Sequence, residues 1–427
     1  MSESSNQAEG SLLDAATVRE ATRVRPFANL GALAIDYLVA IVATGGAVFF
    51  QIHHRDWGLH PAWIVPVWIA AAVVNGCVQH RIGLMGHEAS HHLLVPNRRW
   101  NDILAELLCF YPVFGGLMQY RKKHLDHHLY PNDPDRDPNL GNGKAQRLYA
   151  KFPMPKRSFI YQYYVKFFWP PFVLANLLDL LDVITIGSGF SPAPVRDATP
   201  EEREKSGFAS KLVRVRGTWL GILYLVAIVA ALRLGYGHGW FWHIGGVGVL
   251  YVVALAVWAF LPESAFFRGA RLSIPVKTAA LLRLTYYTLL FAGLGAIRQV
   301  TGYDSSVAFI ALWIFPLIYM FPYLMLLREV YQHANAGRGQ IDNSRIILAD
   351  PFTHWAVLGY GNDFHLIHHI YPNVPQYRLR EVHERLVDES ETYRDEVEVT
   401  RGIVKPRPSP AGDEPAVALL DSLAAKP

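Results

Sequence analysis

Cysteine is nearly absent: the 427 residues contain only Cys77 and Cys109, both in apolar stretches. Two cysteines rule out a disulfide framework and leave no thiolate set for zinc or iron–sulfur ligation, so both are read as buried reduced thiols. Charge is scarce as well. Asp, Glu, Lys and Arg make up 18% of the chain, below the roughly 25% of a soluble domain. The net charge of +4 gives no basis for binding nucleic acid. There is no glycine-rich dinucleotide fingerprint, no His-Pro-Gly-Gly haem segment and no internal repeat. No basic n-region with a cleavage site opens the chain. Met1–Thr22 is mostly polar, and insertion through the first apolar span is expected, with this segment mobile.

Apolar sequence fills the space that charge leaves, at 51% hydrophobic and 13% aromatic. Six stretches approach the ~20 residues needed to cross a bilayer: Asn29–Gln51, Pro61–Val78, Thr218–Leu234, Phe241–Leu261, Thr278–Ile297 and Val307–Leu327. Two others, Ile103–Met118 and Tyr161–Ile186, are shorter or broken by Pro170-Pro171, Asp179 and Asp182, and are read as re-entrant or interfacial. The expected fold is all-α: a polytopic membrane helical bundle. A segment 1–28 precedes an integral membrane domain 29–390, and a mobile tail 391–427 follows. In the polar linker Gly187–Gly207, Thr199-Pro200-Glu201-Glu202 reads as the capped start of a short helix.

Against this background ten of the eighteen histidines are clustered: His87, His91 and His92; His124, His127 and His128; His365, His368 and His369; and His333 ahead of the last set. Residues three or four apart share a helix face with Cβ atoms about 5–6 Å apart, so each cluster can aim two or three imidazoles at one point. Imidazole suits iron, zinc and copper. Nine or ten imidazoles exceed one coordination sphere, which implies two metals. A single cluster of this kind is also what a basic surface patch looks like; three together are not.

Topology checks the idea. Clusters that share a site must lie on one side of the membrane. With Ile103–Met118 re-entrant, no crossing separates the first two clusters and four separate the second from His333. Arg19, Arg23 and Arg25, then Arg98, Arg99, Arg121, Lys122 and Lys123, Lys211, Arg214 and Arg216, and Arg268, Arg271 and Lys277 all fall on that side. The positive-inside rule makes that side cytoplasmic, together with both termini.

The residues around the clusters resemble the membrane fatty-acid desaturase-like superfamily of non-haem di-iron oxygenases, over roughly Gly83–Asp137 and Glu329–Leu386. The similar segments are Gly86-His87-Glu88-Ala89-Ser90-His91-His92; Arg121-Lys-Lys-His124-Leu-Asp-His127-His128 with Asn132-Asp-Pro-Asp-Arg-Asp137-Pro; and Asn362-Asp-Phe-His365-Leu-Ile-His368-His369-Ile-Tyr-Pro372. The resemblance implies a helical cytoplasmic cap carrying two irons that activate O2 and take hydrogen from an unactivated C–H bond. Carried over by position, the ligands are His87, His91, His124, His127, His128, His333, His365, His368 and His369. His92 is either a tenth ligand or a neighbour serving the ligands or the substrate, since it points about 100° around a helix from His91. Glu329, one turn before His333, stands where some relatives have Asn; direct ligand, supporting group and partner of Arg328 all remain open. Glu88, Asp126, Asp137 and Asp363 are placed to accept the outer N–H of a ligating imidazole or to be solvated charges, and Asn362 belongs to the same candidate set.

A mononuclear zinc hydrolase would leave most of these histidines unexplained. The expected activity is therefore O2-dependent desaturation of a fatty-acyl or lipid chain. Hydroxylation or ketolation of a carotenoid, hydrocarbon or small amphiphile on the same core is the alternative. A metal-binding transporter is the reading from another class, disfavoured because the clusters lie outside the expected spans. The aromatic run Trp313–Tyr323 is read as a tunnel lining or as ordinary helix packing. A separate electron donor, a ferredoxin or cytochrome b5 with its reductase, is required, and a bacterial plasma membrane is favoured over endoplasmic reticulum.

Overall fold

The computed structural model describes residues 12–133, 136–139, 156–171, 216–266, 272–334 and 336–401. Among them five helices are long and apolar enough to cross a membrane: Pro26–His53, Pro61–Ser90, Gly239–Phe260, Val276–Thr301 and Ser305–His333. Each corresponds to an expected span. The remaining expectation, Thr218–Leu234, is a helix Arg216–Leu234 with a shorter apolar run. It packs in the same bundle, the Tyr224 hydroxyl meeting Thr288 Oγ1 at 2.6 Å and Arg233 pairing with Asp304 at 2.6 Å. The linker helix expected at 199–202, the segment 172–186 and the chain after 401 lie outside the described residues.

Each span sorts its residues by face. On Pro26–His53 the residues Phe27, Ile35, Leu38, Val42, Phe49 and Ile52 are exposed, while Asn29, Leu33, Asp36, Ala40 and Ala47 on the opposite face are buried. Apolar atoms point toward lipid and polar ones toward the protein, as expected where the surrounding solvent is hydrocarbon. Helices approach closely where a glycine permits it. A Cβ on Gly76 would stand 2.3 Å from Met320 Cβ on the last span, a small-residue contact of the kind that packs membrane helices.

Pro316 lacks the N–H that would serve the Leu312 carbonyl, and the turn before it, Ile310–Ile314, is π-helical. The carbonyls left short are met from the second span: Asn75 Nδ2 donates to Leu312 O and Gln79 Nε2 to Trp313 O, both at 2.7 Å. Polar residues in that span therefore do not end it. The helix continues past the expected Val78 to Ser90 and carries His87 on its last turns.

The apolar stretch around 103–118 forms two helical arms, Arg98–Val113 and Leu117–Leu129, that meet at 95°. Phe114 at the break has φ 58°. Backbone exposed at the bend is met by four side chains: Tyr37 on Leu108 O, Tyr287 on Tyr111 O, Trp313 on Pro112 O and Arg283 on Gly115 O. Broken backbone at membrane depth is tolerated only under such cover. Both arms return to one level, because His91 and His124, on either side of the excursion, touch.

Residues 336–401 fold over the ends of the spans. Two three-residue strands, Ile346–Leu348 and Val399–Arg401, pair in parallel and are the only sheet among the described residues of this helical protein. Structure therefore extends beyond the expected boundary at 390. Helix Glu391–Glu396 buries Tyr393 against Leu386 and Val382, an anchor that the acidic composition of the segment hides. The N-terminal segment is likewise structured from 12 onward: Asp14 caps helix Ala15–Ala21, and Leu13 and Ala21 pack into the same cap core.

Candidate metal centre

Four helices bring the histidines together, His333 standing on the last turn of the last span. The second span terminates at Ser90, and the chain leaves it with His92 in the left-handed region (φ 62°). His92 N–H bonds Ala89 O at 3.0 Å and Leu93 N–H bonds Glu88 O at 3.1 Å, the paired bonds of a Schellman termination. Helix Leu117–Leu129 carries the second cluster. Its Arg121 reaches back to the end of the second span, with Nε 2.9 Å from Ser90 O and Nη2 3.2 Å from Ala89 O. Asp102, buried like Arg121, holds the guanidinium at 2.6 Å. Helix His365–Ile370 follows the consecutive left-handed residues Tyr360 and Gly361.

The imidazoles form two groups. His87, His91, His124, His128 and His368 bring one nitrogen each to within 4.8 Å of one another; His127, His333, His365 and His369 do the same. Each cluster was expected to converge on a single point, and the second and third do not. Residues i and i+4 stay together, as in His124/His128 and His365/His369, whereas the i+3 member, His127 or His368, joins the other group. At about 100° per residue the i+3 position lies to one side of the starting residue and i+4 to the other, so adjacent histidines point into different groups.

The residues present fit a pair of metal ions. His91 Nε2 lies 2.7 Å from His124 Nε2, His128 Nε2 3.0 Å from both His124 and His368, and His365 Nε2 3.1 Å from both His333 and His369. Nitrogens ~2.1 Å from one ion at right angles stand about 3 Å apart. Hydrogen bonding alone does not satisfy the set. The outer nitrogens of His127 and His333 face acceptors, Asp137 at 3.0 Å and Asn343 O at 3.1 Å, which places the proton there and a lone pair on each inner nitrogen. Both nitrogens of His87 and the Nε2 of His127 are buried without a hydrogen-bond partner among the described residues. A cation bound by each group would supply what the lone pairs lack. Burial and the Arg121 guanidinium push His91 down to about 3, and burial holds His365, His368 and His369 well below the usual imidazole range. All four are therefore neutral donors at pH 7.

The remaining candidates separate by contact. Asp137 is buried, and its two oxygens lie 3.0 Å from His127 Nδ1 while accepting from the backbone N–H of Asn132 and Asn139 at 2.8 Å. Glu88 Oε1 is 3.7 Å from His87 Nδ1, and its Oε2 accepts from Gln376 N–H at 2.9 Å. Asp126 faces away from both groups and pairs with Lys122 at 2.8 Å, so it is a helix-surface charge. Asp363 lies 3.4 Å from His354, and Asn362 donates to Gly359 O and accepts from Gln332, shaping the turn before His365. Glu329 pairs with Arg328 and accepts from Asn139 at 3.0 Å, and belongs to neither group. His92 is in neither group either; its Nδ1 is 3.6 Å from Asp102. Trp313 and Tyr323 are engaged in packing, the first on the re-entrant bend and the second against Tyr164, Phe167 and Phe168. Sequence reasoning missed Asp102, Arg121 as a brace, Asn343, and Tyr120, which stacks on His124 at 5.5 Å.

A polytopic helical membrane protein with a nine-histidine, two-centre site under a cap is thus defined. The family model described as "Fatty acid desaturase" matches residues 61–268 and 260–400, and the chain belongs to that family. Dihydrorhizobitoxine desaturase of Bradyrhizobium elkanii is 30% identical over 236 residues, 52% of this chain and 60% of the relative. Delta 8-(E)-sphingolipid desaturase of Emericella nidulans is 28% identical over 93 residues, 21% of this chain and 17% of the relative. The chain thus aligns with less than two thirds of either relative's length.

Proposed function

We propose that this protein is a membrane-bound, O2-dependent desaturase of a fatty-acyl or lipid chain, with two irons held by His87, His91, His124, His128 and His368 and by His127, His333, His365 and His369. The observation that carries the reading is the convergence of nine histidines into two adjacent groups, from the ends of two apolar spans, the returning arm Leu117–Leu129 and the cap helix His365–Ile370. Irons bound there supply the redox chemistry that activates O2 and takes hydrogen from a methylene. The balance is four electrons and four protons to reduce O2 to two waters: two of each come from the adjacent C–H bonds, two electrons come from a separate donor, and the other two protons come from solvent. The protein's own part is positional. Asp137 and the Asn343 carbonyl hold the outer protons of His127 and His333 and aim the inner nitrogens; Arg121 fixes the helix end that presents His91.

Desaturation is preferred over hydroxylation or ketolation because both relatives are named desaturases. Their names also span a lipid and a compound not named as one, so the lipid chain is the substrate suggested by the membrane setting. The basic residues Arg98, Arg99, Lys122 and Lys123 beside the cap support a cytoplasmic site. The test is lipid profiling of cells expressing wild type and His127→Ala, with iron counted on purified protein. New double bonds lost in the variant, at about two irons per chain, support the proposal; hydroxyl or keto products, or one zinc with no product, overturn it.

A further inference from the structure

The metal centre leaves unused a recess of about 480 Å³ on the cap side of the first span, lined by Arg23, Val24, Arg25, Pro26, Phe27, Ala28 and Arg378. Two distant parts of the chain build it. Tyr377 bridges them, its hydroxyl accepting from Arg25 N–H and donating to Arg23 O at 3.2 Å, across 352 residues of sequence. Arg378 is fixed by a bond from Nη1 to Glu20 O at 3.0 Å.

Three arginines therefore border one small space, and among the described residues no ion pair joins any of them to a carboxylate. The 28-residue helix that starts at Pro26 has no side-chain cap and directs the positive end of its dipole to the same place. Like charges gathered without a counterion repel one another, and an anion relieves that repulsion. Phe27, 88% exposed, and the apolar face of the span begin immediately beside the arginines, so the anion's neighbour is hydrocarbon.

We propose that this recess binds the phosphate of an anionic lipid head group, its acyl chains lying against Phe27 and the first span. Arginine forks pair bidentately with phosphate oxygens, and a basic cluster at a span's end attracts acidic lipid. The recess is linked to the metal centre: next to Tyr377, Gln376 N–H bonds Glu88, the neighbour of His87. Lipid binding thus steadies the cap segment that touches the first histidine cluster.

The experiment follows thermal unfolding of the full chain in uncharged detergent as dioctanoyl phosphatidylglycerol, dioctanoyl phosphatidylcholine or inorganic phosphate is added. It needs no turnover, so it stands or falls separately from the desaturase reading. Phosphatidylglycerol is expected to raise the midpoint saturably, and phosphatidylcholine to leave it unchanged. The Arg23→Gln/Arg25→Gln double variant should need about tenfold more phosphatidylglycerol or greater for the same shift. Arg23→Gln alone, removing an exposed side chain, serves if the double variant does not fold. Equal shifts from both lipids, an unweakened response in the variants, or the full shift from inorganic phosphate alone would overturn the proposal.

Discussion

The five-histidine and four-histidine groups are held in different ways. In the four-histidine group two rings are gripped directly, His127 by Asp137 and His333 by the Asn343 carbonyl. In the five-histidine group the nearest carboxylate, Glu88, stands 3.7 Å from His87 and already accepts from Gln376. There the elements are braced instead: Arg121 ties the helix of His124 and His128 to the helix end of His87 and His91, and Asp102 neutralises it. A ring can be aimed by a hydrogen bond to its outer nitrogen or by locking the backbone that carries it. The donor count differs as well, five imidazoles in one group against four in the other.

The largest expected effect tests whether the groups act as one. His368→Ala removes a donor from the five and His127→Ala one from the four, and each should reduce product to background while the protein stays in the membrane. If the groups were independent, one iron per chain would remain in either variant; iron analysis beside product analysis decides. Arg121→Gln attacks the brace. Breaking a buried ion pair costs about 3–5 kcal/mol, so its unfolding midpoint should fall sharply even in metal-free protein. Asp137→Asn attacks the grip. Loss of a carboxylate behind a ligating imidazole costs roughly 10–100-fold in metal affinity or activity, with little change in metal-free stability. Glu88→Gln should cost less than Asp137→Asn in iron retention, and an equal loss would erase the distinction between the two groups.

Much of this was legible in the sequence, for physical reasons that also mark where legibility ends. Histidines three and four apart announced where the rings gather, and apolar runs announced the bundle. The allotment of histidines to the two groups was not readable, because it depends on where neighbouring helices stand and separates His127 from His128. The Arg121–Asp102 brace joins residues 19 apart on two arms of a bent pair, a proximity that no local pattern encodes. Asp126 sat inside a cluster and still turned outward to Lys122, since being adjacent in sequence rotates a side chain off the site. The second span outran its hydropathy because Asn75 and Gln79 face carbonyls released beside Pro316, not water.

The smallest effect concerns the histidine that sequence spacing left undecided. His92 lies beside His91, yet its φ of 62° and the bonds from His92 N–H and Leu93 N–H make it the left-handed residue that ends the second span. A left-handed conformation costs a residue other than glycine about 1 kcal/mol, so His92→Gly should fold at least as stably as wild type and keep its iron. His92→Ala should likewise retain most activity, while His91→Ala, which takes one donor from the five, should not. The comparison is direct because the two variants differ by one position on one helix end. Equal loss of iron in both would mean that His92 reaches a metal and that its geometry here serves ligation, not termination.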